Sequence, residues 1–212
     1  MRLIFFNYTF YRYFMATSTH ALGGRLALLK PDDLDSDQKK LYQELLATMV
    51  PWAKKSGFQA ITEDEELIGP FNAMLRSPVI SQAVMGVTAS EGAHSSLSEK
   101  VRQVVILTVG AAWKADYELY AHAAVGRKAG LDEAAIAALV AGQKPTTLSE
   151  EESLAYDFTY YLTVEHHINP DLYRRALAAF EERGIVDMIY LAGQYMLVSG
   201  LLNTFSVPAP AE

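Results

Sequence analysis

The sequence predicts an all-α fold: a single-domain multi-helix bundle built around a central antiparallel helix hairpin, and oligomeric. Three observations carry this reading. From Leu34 to Phe205, apolar residues recur at helical spacing between recognisable caps. No stretch shows sustained strand alternation with hairpin turn signals. The segment after Ser98 is apolar almost all round beyond Gln103, and a second helical segment follows it almost at once. A helix that is apolar all round is buried, in the domain or in an oligomer.

The elements follow in order. Asp35 or Ser36 caps a helix predicted to about Lys54, with Leu41, Leu45, Leu46 and Met49 at helical spacing and Ser56-Gly57 at its end. Asp64 to Leu75 reads as a shorter helix broken in its middle by Gly69-Pro70. Pro78 opens a helix to about Gly92, with Ile80, Val84 and Val87 on one face. Ser98 caps Glu99 to about Ala112, and the next helix runs from Ala115 to Lys128 with Gly130 as its C-cap. Asp132 caps a helix ending near Gly142. Ser149 with Glu152 forms a capping box for a helix to about Val164. Asn169-Pro170 opens a helix to Arg183-Gly184, and the last runs from Ile185 to about Phe205.

Composition narrows the function. The chain has 212 residues, half of them hydrophobic, which suits one domain with a sizeable core. Residues 1–20 read as an aromatic arm, residues 21–208 as the helical domain and residues 209–212 as a tail. Seven of the first fourteen residues are aromatic, and Met15-Ala16-Thr17-Ser18 resembles an ordinary protein start. The arm is therefore either an upstream extension or a segment that packs on a neighbouring subunit or a membrane surface. A net charge of −7 with scattered basic residues argues against nucleic-acid binding. The longest apolar run, Val104 to Trp113, is about half a membrane span, so no membrane partner is expected. The absence of cysteine excludes disulfides, thiol nucleophiles and Cys-ligated metals, and fits a cytoplasmic protein.

The hairpin carries the candidate site. Glu118 and His122 are four apart and share one helix face. Gln103 lies ten residues before Trp113 and His122 nine after it. A reversal near Trp113 therefore brings Arg102 or Gln103 level with His122. A carboxylate, an imidazole and an amide or guanidinium on one wall are suited to binding an anion and moving a proton, with the carboxylate raising the imidazole pKa. The same pair is also an ordinary helix contact worth a few tenths of a kcal/mol. Tyr117 reads as core or pocket wall. His20, His94 and the adjacent His166-His167 have no partners at ligand spacing, so no metal site is predicted.

The stretch from Glu99 to Leu139 resembles the carboxymuconolactone decarboxylase-like family, which also contains the alkylhydroperoxidase-type proteins. The resemblance rests on Lys100-Val101-Arg102-Gln103 entering an apolar helix, on Ala115-Asp116-Tyr117-Glu118-Leu119-Tyr120-Ala121-His122, and on Gly130-Leu131. Gly69-Pro70-Phe71, Leu75-Arg76-Ser77-Pro78 and Leu201-Leu202-Asn203-Thr204-Phe205 extend it over about Leu34 to Pro208. It implies a trimer, hexamer or similar ring, with sites lined by the central hairpin and no cofactor. The peroxidase branch places two cysteines where this chain has Ala115 and Glu118, and a Glu where it has Gln103. The resemblance therefore implies the decarboxylase type of site, with Glu118 and His122 retained.

The expected function is a cofactor-independent decarboxylase or related lactone/keto-acid enzyme acting on a small carboxylate or lactone. His122 and Glu118 are its expected catalytic residues. Arg102 would hold a substrate carboxylate through a bidentate contact, with Gln103 beside it, and Tyr117 and Phe71 would shape the pocket. The alternative is a non-catalytic helical oligomer that binds a small ligand or a partner protein.

Overall fold

A computed structural model describes residues 22–211, so the expectations for the aromatic arm lie outside the described residues. The described chain is helical, without a regular strand. Helix α1 (Ser36–Ala47) starts from the predicted cap: the Asp35 side chain accepts the Asp37 and Gln38 N–H groups, and Gln38 answers the Asp35 N–H. The predicted continuation to Lys54 is interrupted at Thr48 (φ −120°, ψ −67°) and resumes as α2 (Met49–Ser56). Pro51 is the physical reason, because it has no N–H for the preceding turn and its ring crowds that turn's carbonyl.

The predicted helix from Asp64 to Leu75 is corrected to a five-residue turn, α3 (Pro70–Met74). Residues 58–69 instead form a loop closed by a single antiparallel bridge between Ile61 and Leu67. Glu65 and Gly69 both have positive φ, at 60° and 63°, which an α-helix does not accommodate. Gly69 is also fixed by contact, since a Cβ there would lie 2.3 Å from the Tyr117 ring. Arg76 ties α3 to the N-terminal stretch by donating to the Ala27 carbonyl.

Helix α4 (Pro78–His94) turns Ser81 and Met85 inward, whereas Ile80 and Val87 of the predicted stripe face outward. Helix α5 (Glu99–Trp113) is the axis of the fold and packs against four later helices: α6 (Asp116–Ala129), α7 (Glu133–Val140), α8 (Glu150–Tyr160) and α9 (Pro170–Thr204). Its surface from Val104 to Val109 is thus buried within one chain. The α5–α6 reversal is made by Lys114 in the left-handed region, with its N–H on the Ala111 and Gly110 carbonyls. Gly110 lets the two helices close up, because a Cβ there would sit 3.3 Å from Cγ of Glu118.

Helix α8 continues as a π-helical turn, Tyr161–Glu165. The predicted break in the last helical segment lies at Glu181 (φ 57°, ψ 179°) rather than at Arg183-Gly184. Gly184 serves the same bend by proximity, as a Cβ on it would come within 2.8 Å of the Phe180 Cβ. By length and composition α9 is long and apolar enough to cross a membrane; its inner face nevertheless builds a core cluster with α5 and α8. A second cluster gathers α1, α2, α3 and α6, and a third joins α5 to α7 and α8.

Candidate active site

A cavity of about 450 Å³ lies where α2, α3, α4, α5, α6 and α9 meet. Its wall includes the apolar side chains Met49, Trp52, Phe58, Phe71, Met74 and Met85. The same wall carries the polar side chains Glu91, Arg102, Gln103, Glu118, His122 and Tyr195. All six residues anticipated from sequence, Phe71, Arg102, Gln103, Tyr117, Glu118 and His122, line this one cavity.

Helix register places the polar centre. Gln103 of α5 and His122 of α6 face each other across the hairpin, with Oε1 of Gln103 2.8 Å from Nδ1 of His122. An amide oxygen only accepts, so the ring donates from Nδ1 and Nε2 is left with its lone pair. One turn back along α6, Oε1 of Glu118 lies 3.2 Å from that Nε2. The approach is close but not aligned as a hydrogen bond, and this oxygen has no hydrogen-bond partner among the described residues. Glu118 and His122 are only 3 % and 5 % exposed, so each is cut off from solvent compensation.

Burial decides the protonation. It pushes the Glu118 carboxyl up to about 8. It pulls His122 down to about 3, with the Arg102 charge acting in the same direction. The expectation that the carboxylate would raise the imidazole pKa is therefore reversed: desolvation outweighs attraction, and the pair is a carboxylic acid beside a neutral imidazole. One proton is held between two groups that both face a cavity.

Arg102 differs from its expected role as well. Its Nε and Nη2 both donate to the Glu91 carboxylate, and Nη1 donates to Glu99 at 2.6 Å. The bidentate edge that a substrate carboxylate would use is already taken, since α4 brings Glu91 alongside. Burial works against the guanidinium charge, but the hydrogen bond and charge of Glu91, with Glu99, raise its pKa overall. Tyr117 is wall rather than acid: its hydroxyl donates to the Gln59 carbonyl at 2.6 Å, and burial raises its pKa.

Tyr195, Glu91 and Trp52 were not singled out from sequence. Tyr195 stands edge-on to His122 with ring centroids 4.9 Å apart, and burial first, then Glu118, raises its phenol pKa. Trp52 approaches the same imidazole at 6.1 Å. Neither has a local sequence signal, because only the packing of α2 and α9 onto α6 brings them near. No cluster of metal-ligating side chains occurs among the described residues.

The profile of the carboxymuconolactone decarboxylase family matches residues 78–159, from the start of α4 into α8 and across the whole polar hairpin. That stretch of the chain is similar to the family. No curated protein matches it. The fold is shared with solved structures of low sequence identity. One is an uncharacterized peroxidase-related protein from Ralstonia eutropha JMP134, described as an alkylhydroperoxidase AhpD core. It has TM-score 0.67 and 14 % identity, over 88 % of this chain and 92 % of that one. Another is an uncharacterized peroxidase-related protein from Silicibacter sp. TM1040, with TM-score 0.66 and 19 % identity over 93 % and 96 %. A third is a cysteine-to-alanine variant of the debrominase Bmp8 in complex with 2,3,4-tribromopyrrole, with TM-score 0.64 and 12 % identity over 79 % and 86 %. The sequence has no cysteine, so no thiol of its own takes part in any chemistry at this site.

Proposed function

We propose that the protein is a cofactor-independent decarboxylase or related lactone/keto-acid enzyme in which Glu118 and His122 move a proton at a carbon next to a substrate carbonyl. The supporting observation is the row Gln103–His122–Glu118, buried on the wall of the cavity. Gln103 fixes the imidazole tautomer, and burial keeps Glu118 protonated near neutral pH. An acid whose pKa lies near the working pH is suited to general acid catalysis.

Decarboxylation would break the bond to the carboxylate carbon, release CO₂ and send the electron pair toward a β-carbonyl. Glu118 would then protonate the carbon. Isomerisation of an unsaturated lactone would instead use the Nε2 lone pair of His122 to take a proton from one carbon and return it at another. In either case the substrate carbonyl is the electron sink. The match of residues 78–159 to the family profile and the Glu/His row support this reading, and the resemblance implies a homo-oligomer.

The alternative is a non-catalytic oligomer that binds a small ligand or a partner protein. It is favoured by one observation: the fork of Arg102 is filled by Glu91, so a carboxylate substrate finds no free bidentate partner. The two readings separate on a panel of β-keto acids and unsaturated lactones. The enzyme reading expects turnover of at least one, lowered roughly a hundredfold or more by His122→Ala and by Glu118→Gln. Saturable binding across the panel with no turnover leaves the binding reading.

A further inference from the structure

We propose that the cavity selects a neutral carbonyl compound, such as an unsaturated lactone or ketone, and turns anions away. This rests on the proton-transfer reading of the site and settles which of its two chemistries the cavity suits.

The charged groups on the cavity wall are unbalanced. Four carboxyl groups line the cavity, on Glu44, Glu91, Glu99 and Glu118. Arg102 is the one Lys or Arg side chain on its wall among the described residues. Arg102 is itself consumed, bonded to both Glu91 and Glu99. Glu44 takes only a neutral donor, the Gln82 amide at 2.9 Å. With the Glu118–His122 pair neutral, the wall carries three carboxylates against one guanidinium. An anionic ligand would lose its hydration and meet a net negative field, with no cation free to receive it.

The same wall suits a neutral, flat molecule. Trp52, Phe58 and Phe71 offer aromatic surface on it. Beside them, Oε1 of the buried Glu118 carboxyl has no hydrogen-bond partner among the described residues. In its acid form it donates one hydrogen bond, which a ligand carbonyl oxygen accepts. His122 Nε2, 3.2 Å from that carboxyl, is placed to accept a proton from the adjacent carbon. Enolisation then balances internally. His122 takes the carbon-bound proton, Glu118 gives its proton to the carbonyl oxygen, and reversal at the same or a conjugated carbon restores both groups.

Trp52 reports on occupancy, and Trp113, 40 % exposed at the end of α5 and outside the cavity, can be replaced to isolate that signal. In a Trp113→Phe background, fluorescence titration with acetophenone and with benzoate compares two aryl probes of similar size and different charge. Acetophenone is expected to bind at least tenfold more tightly, and Glu99→Gln, at an exposed position, to narrow the gap severalfold. Benzoate binding as tightly as acetophenone, or neither probe altering Trp52 emission, overturns the proposal. The same acetophenone sample in D₂O separates this inference from its premise. Selective binding with methyl deuteration that Glu118→Gln abolishes supports both. Selective binding with deuteration unaffected by Glu118→Gln overturns the proton-transfer reading and keeps the charge selection.

Discussion

Oε1 of Gln103 sits 2.8 Å from Nδ1 of His122, although nineteen residues separate them in the chain. This contact fixes which imidazole nitrogen carries the proton, and so leaves Nε2 free to face Glu118. Replacing Gln103 with Leu removes the acceptor at nearly the same length. Nitrogen-15 spectra of the wild type should show His122 protonated at Nδ1, and Gln103→Leu should lose that tautomer preference. Activity should fall roughly tenfold to a hundredfold with little change in fold. An unchanged tautomer would mean that Gln103 only packs.

The protonation of the buried pair predicts a particular shape for stability against pH. The unfolded chain releases the Glu118 proton near 4.5, whereas the folded chain holds it to about 8. Stability from this group therefore falls as pH rises through that interval. His122 acts in the opposite sense. Unfolded, it takes a proton near 6.5, but folded it stays neutral down to about 3, so stability falls as pH drops through that range. The two slopes cancel between 4.5 and 6.5, leaving Glu118 alone on the alkaline side. Urea unfolding from pH 6.5 to 8 should show wild-type stability declining and Glu118→Gln holding flat. Parallel curves would assign the alkaline decline elsewhere.

Gly69 tests the loop that carries Pro70 and Phe71 to the cavity. A Cβ would enter the Tyr117 ring at 2.3 Å, and φ is +63°. Gly69→Ala should cost about 1–3 kcal/mol, as overpacking of a tight interior does. Chemical denaturation gives the value directly, and a loss below about 0.5 kcal/mol would show that the ring moves aside freely.

Self-association is expected through the outward faces of α4 and α9. These helices run side by side, joined by Gln194 to Thr88 and by Arg183 to the His94 carbonyl. They expose Ile80, Val87, Ile189, Tyr190 and Leu197. Light scattering should report a multiple of 23.4 kDa, and Ile80→Glu with Tyr190→Glu should lower it. A wild-type monomer at micromolar concentration would contradict the expectation.

Much of this was legible in the sequence because local chemistry dominated there. Asp35, one of the two expected caps of its helix, Ser149 with Glu152, and Asn169 all cap the helices they were expected to open. Counting from Trp113 placed Gln103 or Arg102 opposite His122, and the hairpin delivers Gln103. What escaped depended on distant packing. The loop before α3 turns on positive φ at Glu65, a residue type that gives no warning of it. Glu91 reaches Arg102 from another helix, and Tyr195 reaches His122 from the far end of the chain. The His122 shift went the other way because the depth of burial, rather than the neighbouring carboxylate, decides it.

The central claim is that Glu118 and His122 hold one proton between them as a neutral acid–base pair inside the cavity. Difference infrared spectroscopy of the wild type against Glu118→Gln at pH 6.5 tests it without knowledge of the substrate. The account predicts a carbonyl stretch of a protonated, weakly hydrogen-bonded carboxylic acid that is absent from Glu118→Gln and fades as pH rises through about 8. A difference spectrum at pH 6.5 that contains only carboxylate bands would contradict it.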